Sequence, residues 1–195
     1  ALTCTIWFSV PSLLVYLLTM RALSQDSTMK SVRSVIFGGE GFPKNKLLKL
    51  FEIFNTQAEL VNVYGPTEGT CICSDHTVTK QDFVDMDKLT TLGKLADNFD
   101  YFIEPMEGNP KRGELILLGP QVCLGYYNSP EQTSSAFMQS PRHSNYRDIG
   151  YKTGDLVELD NNGDFHFLGR KDFQIKHMGH RIELEEIEAA VSSIE

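Results

Sequence analysis

The first third of the chain carries short apolar runs separated by segments with helical spacing. The runs at 2–10, 31–37 and 59–64 indicate three strands, the first of them buried. Pro11 suits the first turn of a helix that extends to about residue 23, and positions 44–55 place leucines and phenylalanines on one helical face. Strand, helix, strand, helix, strand predicts a parallel α/β layer with ligand sites beyond the carboxyl ends of the strands.

From about residue 75 the pattern changes to short strands with turn sequences between them. We expect strands at 99–104, 114–118, 155–159 and 165–168, separated by turns such as EGN and DNNG. A short helix begins at Ser129-Pro130 and ends near residue 138. This part of the chain is predicted to be an antiparallel β region.

The last segment opens with a strand at 173–176 and a turn at Gly179. An acidic amphipathic helix follows, and its first turn suits the helix dipole. The apolar face of this helix is predicted to consist of Leu184, Ile187, Val191 and Ile194.

Composition excludes two broad classes of protein. Hydrophobic residues make up 41% and charged residues 23% of the 195 positions, so the chain can bury a core and is not a disordered tail. A net charge of −8 argues against a nucleic-acid-binding surface, which needs clustered lysine and arginine. A local anion site stays open, because backbone N–H groups and one or two cations suffice for it.

The apolar amino-terminal stretch lacks the basic start and small-residue cleavage site of a signal peptide. Ser9, Pro11 and Ser12 interrupt it, so we expect no membrane span, and the absence of an initiating methionine suggests that the chain begins inside a longer protein. The cysteines have neither a disulfide framework nor zinc-ligand spacing. Reduced, buried thiols and a cytoplasmic location are therefore predicted for Cys4, Cys71, Cys73 and Cys123.

Two glycine-containing loops follow predicted strands directly. They are GGEG at 38–41 and YGPTEGT at 64–70. Tyr64 offers a stacking face, Thr67 a neutral donor for a phosphoryl oxygen, and Glu68 a hard oxygen ligand for Mg²⁺. Either loop alone is more often a simple turn, but two at adjacent strand ends indicate a nucleotide site.

A third candidate lies in the predicted hairpin between YKTGD at 151–155 and GRKD at 169–172. The Asp155 carboxylate can accept hydrogen bonds from two vicinal ribose hydroxyls, and Arg170 can reinforce the same edge. The pattern alone is equally typical of a surface hairpin with solvated charges.

Five segments together resemble the ordered motifs of the adenylate-forming superfamily. They are GGEGFP, NVYGPTEGT, GELILLGPQVCLGYYN, YKTGDLVELDNNGDFHFLGRKD and FQIKHMGHRIELEEIE. The superfamily includes amino-acid adenylation domains of nonribosomal peptide synthetases, D-alanine–carrier-protein ligases, acyl-CoA synthetases and luciferases. The resemblance covers essentially the whole chain, and its ending is most similar to the amino-acid-activating branch.

The resemblance implies an α/β fold in two parts. Residues 1–171 would be the carboxyl-terminal part of a large AMP-binding domain, with an α/β layer at 1–75 and a mostly β subdomain at 76–171. Residues 172–195 would be a hinge and the truncated start of a small α+β lid.

The resemblance also implies roles for motif residues. The implied nucleotide contacts are Gly39 and Glu40 along the adenine, Asn62, Tyr64 and Gly65 beside it, Thr67 at the α-phosphate, Glu68 on Mg²⁺, and Asp155 with Arg170 at the ribose. The implied lid residues are the pivot Asp172, then Lys176, Gly179, His180 and Arg181. The implied acyl or amino-acid pocket consists of Phe8, Ile36, Gly38, Val63, Cys71 and Ile72.

The implied reaction has two steps. A carboxylic acid, most simply an amino acid, reacts with MgATP to give an acyl-adenylate and pyrophosphate, with Thr67 and Glu68 as catalytic residues. The lid then turns about Asp172 and a phosphopantetheine thiol on a carrier protein captures the acyl group. A phosphate loop should precede residue 1 and a lid lysine should follow residue 195, so the chain alone is expected to be inactive.

Two alternatives stay open. One is an acyl- or aryl-CoA synthetase, which would lack the pocket carboxylate that pairs an α-amino group. The other is a non-catalytic scaffold with the same fold, since fold does not determine function. The presence of Thr67, Glu68, Asp155 and Arg170 argues against the scaffold.

Overall fold

The structure is a computed structural model that describes residues 3–24, 29–142 and 144–192. Short 3₁₀ turns lie at Thr67–Gly69 and Lys80–Phe83. The strands and helices are, in chain order, β1 (Ile6–Ser9), α1 (Pro11–Thr19), β2 (Ser34–Gly38), α2 (Lys44–Phe54), β3 (Glu59–Tyr64), β4 (Ser74–Thr77), β5 (Lys94–Leu95), β6 (Asp100–Met106), β7 (Asn109–Leu118), α3 (Pro130–Ala136), β8 (Phe137–Gln139), β9 (Ile149–Leu159), β10 (Phe165–Arg170), β11 (Ile175–His177), β12 (His180–Ile182) and α4 (Leu184–Ser192).

The chain divides into two compact units. The first unit consists of residues 1–62, 77–90 and 172–195, and the second of residues 63–76 and 91–171. The division of the chain into a large domain and a lid remains a prediction.

The first unit contains the parallel α/β layer. β1 pairs in parallel with β2, and β3 follows α2. Helix α2 carries the apolar residues Leu47, Leu50 and Phe54 at spacings of three and four positions. This spacing directs all three side chains toward the core. Fully burying a side chain of this size contributes about 1.5–3 kcal/mol, so this apolar face holds the helix in place.

The second unit contains an antiparallel sheet in the order β10-β9-β7-β6, with β8 also paired to β9. The register of β9 and β10 sets Asp155 directly opposite Arg170. Strands β7 and β9 of this sheet carry the completely buried residues Leu115, Leu117 and Val157. The long strand β9 therefore carries both core residues and a charged site residue.

The observed elements confirm the parallel layer and the antiparallel region, but several boundaries differ. The predicted buried strand at 2–10 is shorter and half-exposed, with Ile6 and Phe8 more than half accessible. α1 ends at Thr19 rather than near residue 23, and Ile194 of the predicted helical face lies outside the described residues.

The short strands β4, β5, β8 and β12 were not predicted, because two to four residues are too few to show a period. The predicted burial of the thiols is confirmed for Cys73 alone: Cys4 and Cys71 are exposed and Cys123 is half-buried. All four cysteines are free. Within the described residues, no helix is both long and apolar enough to cross a bilayer.

Candidate functional site

The second unit contains a buried hydrogen-bonded network around Asp155. Tyr64 at the end of β3 donates its hydroxyl to Asp155 Oδ2 at 2.6 Å, and Arg170 Nη1 donates to Asp155 Oδ1 at 2.6 Å. The side chains of Asp155 and Arg170 are only 7% and 14% exposed, so the ion pair is poorly screened by solvent. Each carboxylate oxygen of Asp155 therefore has a fixed donor.

The backbone beneath Asp155 is held by two further side chains. Thr153 Oγ1 donates to the Leu115 carbonyl at 2.6 Å and accepts from the Asp155 N–H at 3.1 Å. Glu114 Oε1 accepts from the Gly154 N–H at 3.1 Å. Sequence reasoning missed Thr153 and Glu114, because nothing local indicates which neighbouring strand they contact.

Burial and charge keep two neighbours of Asp155 protonated. Burial, reinforced by the Asp155 charge and hydrogen bond, raises the pKa of Tyr64 well above its ordinary value of 10.0. Burial first, and then the Asp155 charge, raises the pKa of Cys73 to about 12. Tyr64 is consequently a hydrogen-bond donor throughout the physiological range, and Cys73 is not a candidate nucleophile.

The loop after Tyr64 folds tightly on itself. A Cβ at Gly65 would lie 2.1 Å from the Cys71 carbonyl oxygen, so glycine is required there. Thr70 and Cys71 adopt φ values of 58° and 79°, an unusual conformation for non-glycine residues. Two consecutive residues of this kind cost about 1–3 kcal/mol each, which is typical of loops that present functional groups.

Glu68 lies within this loop, and its side chain is buried. Its Oε1 accepts a hydrogen bond from the Tyr126 hydroxyl at 2.6 Å, while Thr67 beside it is exposed. Sequence reasoning did not single out Tyr126. The only signal was its place in the segment ending GYYN, which does not indicate a partner 58 positions away.

The predicted adenine loop belongs to the first unit. Gly39 is exposed and Asn62 is buried, whereas the Glu40 carboxylate accepts the backbone N–H groups of Ser12, at 3.1 Å, and of Gly179. Glu40 thus joins the start of α1 to the turn between β11 and β12 within this unit.

The predicted lid and pocket residues have varied environments, and their roles remain predictions. Asp172 Oδ1 accepts the Gln174 N–H at 3.2 Å, Lys176 lies opposite Arg181 in the β11–β12 pair, and Gly179 has φ 82°. Of the predicted pocket residues, Gly38 and Val63 are buried, Ile36 is half-buried, and Phe8, Cys71 and Ile72 are exposed.

The chemistry of Asp155 fits a ribose. A carboxylate offers about four lone-pair sites. The bonds from Tyr64 and Arg170 use one site on each oxygen, so acceptor capacity remains on both oxygens for two vicinal hydroxyls.

The chemistry of Glu68 fits a magnesium ion that the phosphates of a substrate help to bind, since Mg²⁺ commonly takes only one or two protein carboxylates. The described part of the chain contains no cluster of three or more His, Cys, Asp or Glu side chains that could hold an ion unaided.

Comparison with known proteins agrees with this chemistry. Residues 1–127 of the 195 match the family described as AMP-binding enzyme. The chain belongs to the AMP-binding enzyme family. The predicted resemblance is thereby confirmed, and it extends through the glycine loops and the Glu68 loop.

Relatives of this AMP-binding enzyme chain include two bacterial proteins. Surfactin synthase subunit 1 of Bacillus subtilis (strain 168) is 38% identical over 182 residues, which are 89% of this chain and 5% of the synthase. D-alanine--D-alanyl carrier protein ligase of Bacillus anthracis is 35% identical over 187 residues, 94% of this chain and 35% of the ligase. The chain therefore spans about a third of the ligase and about a twentieth of the synthase.

Solved structures share the fold. The Vibrio cholerae adenylation domain AlmE, in complex with glycyl-adenosine-5'-phosphate, superposes with a TM-score of 0.81 at 30% identity. The match covers 98% of this AMP-binding enzyme chain and 36% of that chain. The predicted α/β fold, part of a larger adenylate-forming domain, is confirmed.

Proposed function

We propose that the full-length protein carrying this chain is an adenylate-forming ligase that activates an amino acid. The carboxylate of the amino acid would attack the α-phosphate of ATP, giving an aminoacyl-adenylate and releasing pyrophosphate. The Tyr64–Asp155–Arg170 network carries this proposal, because a buried carboxylate with two fixed donors and remaining acceptor capacity suits ribose hydroxyls. Membership of the AMP-binding enzyme family supports it.

In this proposal the side chains of the second unit orient the nucleotide. Asp155 accepts the ribose hydroxyls while Arg170 and Tyr64 hold its carboxylate in one orientation. The exposed hydroxyl of Thr67 donates to the α-phosphate, and Glu68 holds Mg²⁺ together with the phosphates. Bound Mg²⁺ supplies charge neutralisation at the phosphates.

The remaining residues are proposed to complete the nucleotide and pocket contacts. Gly39 and Glu40 would lie along the adenine, with Asn62 and Tyr64 at its edge and face and Gly65 as a further nucleotide contact. The acyl side of the site would be lined by Phe8, Ile36, Gly38, Val63, Cys71 and Ile72.

The amino acid is preferred as substrate because of the relatives. One relative is named as a D-alanine–carrier-protein ligase, and a structural neighbour is described in complex with glycyl-adenosine-5'-phosphate. We propose that the acyl group passes to a phosphopantetheine thiol on a carrier protein, after a rotation about Asp172 that brings Lys176, Gly179 and Arg181 into use. We expect the enzyme to act in the cytoplasm, where free thiols such as Cys71 stay reduced.

Pyrophosphate exchange into ATP tests the proposal in the full-length enzyme. The panel should contain L- and D-amino acids together with fatty and aryl acids. Exchange stimulated by one amino acid is the expected result and names the substrate. Exchange with fatty or aryl acids alone would assign the protein to the CoA synthetases, and no exchange in a folded protein would favour the scaffold.

A matched pair of variants connects the activity to the network. Asp155→Asn should reduce exchange by about 10-fold to 100-fold, because the amide is a poorer acceptor for two hydroxyls. Asp97→Asn, at an exposed position of the same unit, should leave exchange unchanged. Equal exchange activity in both variants would show that Asp155 is not part of the nucleotide site.

A further inference from the structure

The segment 121–126 contacts the Glu68 loop at three points. The Cys123 N–H donates to the Glu68 carbonyl oxygen at 2.8 Å, and the Tyr126 hydroxyl donates to Glu68 Oε1 at 2.6 Å. Thr70 Oγ1 donates to the Gln121 carbonyl at 2.7 Å. One segment therefore holds both the backbone and the carboxylate of Glu68.

Tyr126 is itself held in place by helix α3 and strand β8. Its N–H donates to Thr133 Oγ1 at 2.9 Å, and Thr133 Oγ1 donates in turn to the Ser129 carbonyl at 2.8 Å. The Tyr126 ring packs edge-on against Phe137, with 5.5 Å between ring centroids. The hydroxyl thus has a defined position before it reaches Glu68.

Gly125 permits this arrangement. A Cβ at Gly125 would lie 2.4 Å from the Thr133 methyl carbon, and its φ of 137° lies in a region that other residues rarely adopt. A larger residue would push Thr133 away from the Tyr126 N–H. The segment is therefore shaped so that Thr133 can approach Tyr126.

We propose that Tyr126 is the positioning residue for the metal-binding carboxylate of Glu68. Its hydroxyl holds Oε1 and so selects one side-chain conformation from those that a glutamate can adopt. The inference rests on the proposed function, in which Glu68 binds Mg²⁺ together with the phosphates of ATP. In this proposal Tyr126 acts through the position that it gives to the Glu68 carboxylate.

Tyr126→Phe isolates the hydroxyl. The phenylalanine ring keeps the contact with Phe137, and the backbone bond to Thr133 is untouched. Tyr127→Phe is the matched control, because the neighbouring tyrosine is 94% exposed. Thermal unfolding should show that both variants are folded, with a lowered midpoint for Tyr126→Phe because a buried carboxylate loses a donor, and an unchanged midpoint for Tyr127→Phe.

The experiment measures equilibrium binding of ATP to the full-length enzyme by calorimetry, with no acid substrate, once with Mg²⁺ and once with EDTA. The dissociation constant in EDTA divided by that in Mg²⁺ reports how much the metal contributes to ATP binding. Tyr126→Phe should lower this ratio by roughly 10-fold, as expected for one lost hydrogen bond to a charged group. The dissociation constant in EDTA should stay the same, and Tyr127→Phe should match the wild type.

A second comparison tests whether the effect acts through Glu68. In a Glu68→Gln background, Tyr126→Phe should produce no further change in the ratio. The inference is overturned by a wild-type ratio in Tyr126→Phe, by an equal change in EDTA, or by an additive effect with Glu68→Gln. A wild-type enzyme that binds no ATP under either condition would overturn the proposed function as well.

Discussion

The two compact units bury different kinds of side chain. The first has a core of leucine, phenylalanine and valine, and its described residues bury no carboxylate. The second unit buries three, Glu68, Glu114 and Asp155, beside an equally apolar cluster. Burial of a charge is costly unless it is paired and hydrogen-bonded, so the second unit depends on specific partners where the first depends on packing.

The partners of the three buried carboxylates show how the second unit meets this requirement. Asp155 accepts from Tyr64 and Arg170, and Glu68 accepts from Tyr126. Glu114 Oε2 accepts from Lys171 Nζ at 2.8 Å. Two of these carboxylates are also the proposed ribose and metal ligands. The groups proposed for chemistry therefore lie where fixed donors already orient buried charge.

Asp155→Ala should give the largest effect. It tests whether the stability of the second unit depends on the hydrogen-bonding partners of its buried carboxylates. It leaves the Arg170 guanidinium and the Tyr64 hydroxyl without their shared acceptor, which should lower the free energy of unfolding by about 3–5 kcal/mol. Urea denaturation measures the change, with Asp97→Ala at an exposed position as the control. A loss no larger than that of the control would show that the network does not stabilise the second unit.

Leu50→Ala should give the next largest effect and tests the apolar unit. Leu50 is completely buried on α2, so the change removes apolar contact and leaves a cavity, at a cost of about 2–5 kcal/mol. Val84→Ala, at a position of the same unit that is 75% exposed, should change the same urea midpoint little. Similar midpoints for the two variants would contradict the view that apolar packing is the main support of the first unit.

Local patterns predicted the elements well where they were long and periodic. Strand β3 was predicted at 59–64 and observed at Glu59–Tyr64, and α2 was predicted at 44–55 and observed at Lys44–Phe54. The strand predicted at 155–159 is the end of β9, which begins at Ile149. Asp155 interrupts its apolar pattern, because this charged residue takes a buried position on the strand and pairs there with Arg170.

Pairs of residues in contact were harder to predict from sequence than single site residues. The sequence alone predicted Asp155 and Arg170 as partners, because the two strands of a hairpin bring them opposite each other. The pairs Tyr126–Glu68 and Glu40–Gly179 join positions 58 and 139 apart. Such pairs depend on which loops meet after folding, and no local propensity contains that information.

Lys44→Met should have a moderate effect. Among the described residues of the first unit, Lys44 is the one charged side chain that is buried, so the change tests whether its hydrogen bonds stabilise that unit. Lys44 is buried, and its Nζ donates to the carbonyl oxygens of Asp82 and Asp85. Methionine keeps the stem but removes these bonds, so we expect a loss of about 1–2 kcal/mol. Limited proteolysis should show faster cleavage at 79–90. Exposed Lys49→Met is the control, and equal cleavage rates would contradict the prediction.

The ion pair between Asp100 and Arg142 should have the smallest effect, because both side chains are about half exposed, at 51% and 49%. The hydrogen bond from Arg142 lowers the pKa of Asp100 below its ordinary value of 3.8. A lowered pKa means that the stabilisation is present above the ordinary value and disappears as pH falls below it.

Asp100→Asn should therefore cost less than about 1 kcal/mol near neutral pH, and this cost should shrink at about pH 3, below the ordinary value, because protonation of Asp100 removes the charge that pairs with Arg142. Urea denaturation at the two pH values measures this difference, with Asp97→Asn as the control. A cost that persists in acid would mean that the Asp100 side chain acts through packing. A cost as large as that of Asp155→Ala would mean that the difference in burial between Asp100 and Asp155 does not determine how much each carboxylate stabilises the protein.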